Sequence, residues 1–403
     1  MWYTNSVNVR YRFRFYPTKA QRIELGRTFG SCRYVYNWAL RLRTDNYKAG
    51  KTVNYYDSSA ALTKLKTQED HAWLNEVSCV PVQQALRHLQ TAYRNFFDKR
   101  TGYPSFKRKY GKQAAEYTKS AFKWDAVNRN LSLAKIGRLR VHWSRPFESS
   151  PTTVTITKSR DGRYFATLVL DEKIATLPKT GAAVGIDLGI NRLATLSTGE
   201  RIPNPKHLSK RTKQLARAQR VLARRKKGSS RRAKQVLKVA RIHARIADSR
   251  ADYLNKVTTD LVRRFDVICM EDLNVRGMVR NHCLARSLSD ASFGAFRSMV
   301  EYKCGWYGKE LKLVDRFFPS SKRCSACGHV VESLPLDIRQ WTCPECGASH
   351  DRDENAACNI LMAAGGQPVT TARGAGARPR KATASRGIPR RSANRSKVGA
   401  ECV

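Results

Sequence analysis

Four cysteines constrain this chain's architecture more than any other feature. They fall as C-x2-C-x15-C-x2-C, in "CSACGH" at Cys324 and Cys327 and in "CPECGA" at Cys343 and Cys346. A Gly follows the second Cys of each pair, where a tight knuckle needs a residue without a Cβ. Such spacing closes four thiolates around one Zn2+ in a tetrahedral shell with no position left for water, so one structural zinc in a ribbon over residues 319–347 is expected. His329 and His350 could compete as ligands, but four thiolates already fill the shell. The remaining cysteines of the eleven are unpaired in spacing, which suits a reducing cytoplasm better than a disulfide framework.

Charge decides the class of partner. The 403 residues carry 76 Lys plus Arg against 32 Asp plus Glu, a net charge of +44. A chain so basic repels itself unless a polyanion neutralises it, and nucleic acid rewards each phosphate contact with released counterions. No run approaches about 18 apolar residues, and "MWYTNSVNVRYRFRF" lacks the basic-then-apolar order of a signal peptide, so no membrane partner is expected. The lone "GAGA" at Gly374 follows no strand, which argues against nucleotide hydrolysis.

At this length two or three domains are expected. "VNVRYRFRF" alternates strictly as a half-buried strand, Pro17 stops it, and Thr18 to Gln21 reads as a capping box opening a helix. Helical periodicity continues to about residue 100, with Val82, Ala85, Leu89, Tyr93 and Phe96 on one face. Strands return in "RLRVHW", "TTVTITKS" and "RYFATLVL", the last two joined by a turn at Asp161-Gly162. From Gly181 the order strand, strand, long helices, strand is an α/β pattern. The expected organisation is a strand-rich, barrel-like module over 1–16 and 105–178 interrupted by a helical insert at 17–104. An α/β domain over 179–318 and 348–364 then carries the ribbon as an insertion, and a disordered basic tail covers 365–403.

Three carboxylates stand where backbone geometry would aim them at one site. Asp187 interrupts the apolar strand "VGIDLGI", where an uncompensated charge is costly. Glu271 closes "VICM", at the carboxyl end of a buried strand. Asp353 lies in "DRDENAACNI", with Asp351 and Glu354 as its competitors. Each alone could be a capping or salt-bridged acid. Together they suit divalent cations, and two such ions about 3.5 to 4 Å apart can activate a water and stabilise the leaving oxygen of a phosphodiester.

In this order and spacing, "GIDLGI", "CMEDLN", the four-cysteine pattern and "DRDENAACNI" resemble the RuvC-like nuclease domain of the TnpB family, insertion-sequence proteins related to type V CRISPR effectors. "RFYPTKAQ" and "YPSFKRKYG" resemble the family's N-terminal half, so the resemblance covers about residues 5 to 362. It implies an RNase H-like fold and a Mg2+-dependent, RNA-guided DNA endonuclease in the cytoplasm. Guide RNA and target double-stranded DNA are its implied partners. Asp187, Glu271 and Asp353 match the three catalytic acids, Asp353 because the family's acid stands two residues before the Asn, here Asn355. Two rival expectations share the scaffold: a guided repressor that does not cut, and a strand-transfer transposase that joins ends without a guide.

Residues 206–247 contain no acid at all. Gly228-Ser229-Ser230 breaks them into two helices, the second with a narrow stripe of Leu237, Ala240, Ala244, Ala247 and Leu254. A solvated face normally mixes signs, so this surface is expected to grip phosphates, foremost through Arg224, Arg225, Lys226, Lys227, Arg231 and Arg232. Arg10, Arg12 and Arg14 form a second basic row. Tyr55, Gln83 and Gln84 are candidates for contacts to bases, since the resemblance gives the N-terminal half a short DNA motif to read while base pairing reads the rest.

Overall fold

The computed structural model describes residues 4–335 and 337–365; apart from Gly365, the expected basic tail lies outside them. The chain forms two compact units, one of residues up to Thr176 with Arg211–Asp248, the other of Leu177–Lys210 with residues from Ser249 onward.

The first unit opens with β1 (Thr4–Phe15), α1 (Lys19–Lys48), α2 (Tyr55–Thr67) and α3 (Cys79–Phe97). On β1, Val9, Phe13 and Phe15 are buried while Arg10, Arg12 and Arg14 face out, as alternation requires. The capping box forms: the Thr18 hydroxyl accepts from Gln21 N at 3.2 Å and Gln21 Oε1 accepts from Thr18 N at 3.1 Å. Asn54 and Asp57 cap α2 in the same reciprocal way. On α3, Val82, Ala85, Leu89 and Tyr93 are buried and Phe96 half-buried.

Strands β2 (Gln113–Thr118), β3 (Phe122–Asp125), β4 (Asn130–Leu133), β5 (Gly137–Leu139), β6 (Val141–His142), β7 (Thr153–Lys158) and β8 (Tyr164–Ala175) follow. They make an open five-stranded sheet in the order β2-β7-β8-β1-β6 and a separate three-stranded sheet β3-β4-β5. The barrel expectation is therefore corrected: among the described residues no sheet closes. Closure needs the two edge strands to pair along their length, and β6, two residues long, meets β1 only at Arg14 and Phe15.

The second unit begins with β9 (Ala183–Leu188), β10 (Arg192–Leu196) and β11 (Arg201–Pro203). Next come α4 (His207–Ala223) and α5 (Ser230–Arg264), each with residues in both units. Then come β12 (Val267–Glu271), α6 (Val275–Met278), α7 (His282–Ala291), α8 (Phe293–Tyr307), β13 (Glu310–Val314), β14 (Gln340–Thr342), β15 (Ser349–Asp351) and α9 (Arg352–Ala363). The main sheet has the order β11-β10-β9-β12-β13, antiparallel among its first three strands and parallel across β9, β12 and β13. One face packs Val184, Ile186, Ile268 and Met270 against Leu254, Leu261, Phe293, Phe296 and Val300. The other receives α9, with Cys269, Val314, Ile360 and Leu361 in a small core.

The helical stripe on α5 sits off its expected register. Ile242, Ile246 and Leu254 are buried while Ala247 is exposed, because a buried Ile removes far more apolar area from water than an Ala.

Candidate active site and metal centre

The acids owe their meeting to strand register. β9 and β12 run parallel with Ile186 beside Met270, so the next residues along, Asp187 and Glu271, emerge at the same carboxyl edge on the opposite face from that buried pair. This is the face α9 covers, and α9 comes close because β9 carries Gly185 there: a Cβ at that position would stand 2.0 Å from the Ala357 carbonyl oxygen and 2.8 Å from Leu361 N. Asp353 lies in the first turn of α9.

Electrostatics register the meeting. Burial, then the nearby charges of Glu271 and Asp353, push the Asp187 carboxyl up to about 7. Burial also raises Glu271, against the lowering effect of a hydrogen bond from the Ser320 hydroxyl. Asp353 accepts a hydrogen bond from Arg339 Nη1 at 3.2 Å. Its competitors are otherwise engaged. Asp351 is the N-cap of α9, accepting from Asp353 N and Glu354 N at 3.1 and 3.2 Å, and pairs with Arg201 at 2.8 Å. Glu354 is 3.9 Å from Arg201 with its side chain 42% exposed.

The four cysteines form a tighter cluster. Their sulfurs all lie within 4.8 Å of one another, with Cys324 to Cys346 and Cys327 to Cys343 both at 3.7 Å. Zn–S bonds of about 2.3 Å give a tetrahedral edge of about 3.8 Å, so the donor set fits Zn2+. Gly328 and Gly347, at φ 81° and 70°, close the knuckles by donating to the carbonyls of Cys324 and Cys343, each at 2.9 Å. Without metal the touching sulfurs share protons: the N–H groups of Cys346 and Glu345 help pull the Cys343 thiol down to about 6, while, against the His329 N–H, desolvation and hydrogen bonds from the neighbouring sulfurs push Cys327 up to about 12. His350 stands outside the cluster, its Nε2 3.0 Å from the Cys324 sulfur and its ring against Trp341. His329 contributes its backbone carbonyl, which accepts from Cys324 N at 2.7 Å.

Among the described residues these sulfurs are the one group of three or more ligand atoms within that 4.8 Å limit. The carboxylates of Asp187, Glu271 and Asp353 are therefore set more widely. As a set of hard oxygen donors, two of which (Asp187 and Glu271) burial pushes up, they fit divalent cations such as Mg2+.

The basic candidates all belong to the first unit. Arg224, Arg225, Lys226, Lys227 and Arg231 are exposed around the α4–α5 turn. Arg232 is half-buried and its Nη1 donates to the carbonyls of Leu222 and Arg225 at 2.7 and 3.0 Å, stapling the turn by satisfying the end of α4. Arg12 lies over the Phe165 ring and Arg14 over Tyr16. Arg10 lines a groove of about 1310 Å³ shared with Arg33, Lys107, Arg108, Lys112 and a row of threonines. Tyr55 is half-buried with Arg87 over its ring; Gln83 is exposed and Gln84 half-buried on α3.

Sequence reasoning used Asn355 only to locate Asp353 and passed over two further polar residues beside the acids, Asn359 and Ser320. Asn355 and Asn359 are buried on α9, and their spacing of four on one helical face was a readable signal of a shared partner. Ser320, whose hydroxyl meets Glu271, gave no signal.

Fold and centre define a class: a mixed α/β protein whose four-cysteine ribbon is inserted between the last strand of the main sheet and the helix that completes the acidic site. Comparison with known proteins makes this particular. A family model described as "Probable transposase" (OrfB of IS605) matches residues 166–282, one described as "Cas12f1-like, TNB domain" matches 293–360, and one described as "Helix-turn-helix domain" matches 4–52, which here is a strand followed by one uninterrupted helix. A protein of Streptomyces pristinaespiralis named "Putative RNA-guided DNA endonuclease" is 53% identical over 94% of both chains. InsQ of Escherichia coli K12, under the same designation, is 32% identical over 88% of this chain and 91% of its own. The solved Cas12f1-sgRNA-target DNA complex shares the fold, with a TM-score of 0.58 at 12% identity over 88% of this chain and 98% of that one. The chain belongs to the TnpB-like OrfB family of IS605 insertion sequences.

Proposed function

We propose that this chain is an RNA-guided DNA endonuclease of an insertion-sequence element, hydrolysing double-stranded DNA at sites complementary to a bound guide RNA and next to a short DNA motif. The observation that carries this is the gathering of Asp187, Glu271 and Asp353 at one sheet edge, with enough mutual charge to help hold Asp187 near pKa 7, in a chain of net charge +44. The names of its relatives support the same reading.

Three antiparallel strands continued by two parallel ones support an RNase H-like, RuvC-type nuclease domain in the second unit. In this reading Asp187, Glu271 and Asp353 hold two Mg2+ ions, which when bound supply an activated water and stabilise the leaving oxygen. The chain's own part is to aim three carboxylates from two strands and a helix at one point and to bury Asp187 so that Arg352 and Arg339 offset its charge only in part. Cys324, Cys327, Cys343 and Cys346 hold one zinc, and the ribbon leads through β15 directly into α9, bracing the segment that carries Asp353. Arg10, Arg12 and Arg14, the exposed cations of the α4–α5 turn, and the candidates Tyr55, Gln83 and Gln84 hold guide and target. For the described residues, the proposed domains are those expected above, with the N-terminal module an open sheet and Arg211–Asp248 grouped with it.

The test is to purify the chain with the RNA it retains, sequence that RNA, and supply DNA that matches it. The parent cuts in Mg2+ and not in excess chelator. Asp187→Ala binds the same DNA but cuts at least about a hundredfold more slowly, as loss of a metal ligand requires. Parent-level cutting by Asp187→Ala would refute the assignment.

A further inference from the structure

Of the three acids, Glu271 alone has a neutral partner aimed at it from elsewhere in the chain. The Ser320 hydroxyl donates to Glu271 Oε1, and Ser320 is 5% exposed. Ser320 is itself gripped from α9. The Asn359 side-chain amide donates to the carbonyls of Ser320 and Arg323 at 2.8 and 2.5 Å, and that of Asn355 donates to Arg323 O at 2.7 Å. Asn355 Oδ1 accepts from Ser325 N at 2.9 Å. Arg323 N and Lys322 N both donate back to Pro319 O, so residues 319–323 form a closed turn. Asn359 Oδ1 is buried without a hydrogen-bond partner, so this amide is oriented by what it donates. The helix that carries Asp353 thus reaches Glu271 through a strap of four residue-specific hydrogen bonds and a hydroxyl, independently of the sheet.

We propose that Ser320 is a positioning residue for the acidic site. By occupying Oε1 of Glu271 it fixes the rotation of the carboxylate and leaves Oε2 as the oxygen free for a divalent cation, while Asn355 and Asn359 set Ser320 in register with Asp353. This rests on the nuclease reading above. A ligand's hydrogen-bonded partner typically contributes about ten- to a hundredfold in metal affinity, and a freely rotating Glu271 would surrender that gain.

The experiment uses the full chain, zinc-loaded and freed of RNA, with Mn2+ as the probe and free Mn2+ read by electron paramagnetic resonance. Asp187→Ala serves as the blank for binding elsewhere. Ser320→Ala is expected to weaken the Asp187-dependent Mn2+ binding about tenfold, with zinc content and DNA affinity of the RNA-loaded protein unchanged. Ser320→Thr, which keeps the hydroxyl, restores parental binding. Equal Mn2+ affinity in Ser320→Ala and the parent overturns the proposal. So does a Ser320→Thr variant as impaired as Ser320→Ala, or loss of zinc along with Mn2+, since either marks a general structural role. Should the parent bind Mn2+ no better than Asp187→Ala, the nuclease reading itself fails and takes this inference with it.

Discussion

Asp187 reverses the usual dependence of a carboxylate on pH. Its pKa in the fold is about 7 against 3.8 for a free Asp. Between those values the folded chain holds a proton that the unfolded chain has released, so stability falls as pH rises through that window. Glu271, also raised, adds to the trend. With zinc bound and no other divalent cation added, the melting temperature should therefore decline from pH 5 to pH 7.5, by an amount equivalent to a few kcal/mol at most. Asp187→Asn, which cannot ionise, should flatten the decline and melt higher than the parent at pH 7.5. Added Mg2+ should raise the parent's melting temperature at pH 7.5 and leave the variant's unchanged. A parent whose Mg2+-free stability climbs with pH over this range would contradict the environment described for Asp187.

Among the elements, the contact between β9 and α9 makes the sharpest demand on sequence. Gly185→Ala would drive a Cβ to 2.0 Å from a backbone oxygen of α9; the helix must then lift from the sheet. A loss of about 3 kcal/mol or more is expected in chemical denaturation, with cleavage lost alongside. Gly294→Ala, where the added atom meets nothing within 4 Å, is the control and should change stability little. Much of this was readable beforehand. A Gly between Val and Ile in "VGIDLGI" signals close backbone approach, Thr18 to Gln21 announced α1, and knuckle spacing announced the four-sulfur cluster. The acids were readable because charge in an apolar strand is costly enough to need a reason. What escaped was what depends on distant chain: the open sheet, decided by the shortness of β6; the inward turn of Arg232, decided by the carbonyls of Leu222 and Arg225 at the α4–α5 turn; and the contact of Ser320 with Glu271, made across 49 residues of sequence.

Taken whole, the molecule is a polycation, and its grip on nucleic acid should be mostly electrostatic. Affinity should fall steeply and linearly on logarithmic axes as salt increases. Replacing Arg224, Arg225 and Lys226 together by Ala should weaken binding similarly for all sequences and reduce the salt slope by about 3, one for each phosphate no longer neutralised. Arg232→Ala should behave differently, loosening the α4–α5 turn and lowering stability with a smaller change in slope. Binding measured by fluorescence anisotropy across a salt series separates the two; an unchanged slope in the triple variant would show that the exposed turn does not touch phosphate.

Helix α9 is the last described element, yet it lies against β9, the first strand laid down in its sheet. A ribosome must therefore finish the ribbon and then the helix before Asp187 acquires its third acidic neighbour, some 166 residues later in synthesis. A nascent polypeptide stalled or clipped short of residue 352 exposes the bare sheet around Gly185 and Cys269 and carries two of the three acids. On the proposed nuclease reading, such a fragment keeps the basic surfaces but lacks Asp353, so it is expected to bind nucleic acid without cutting it.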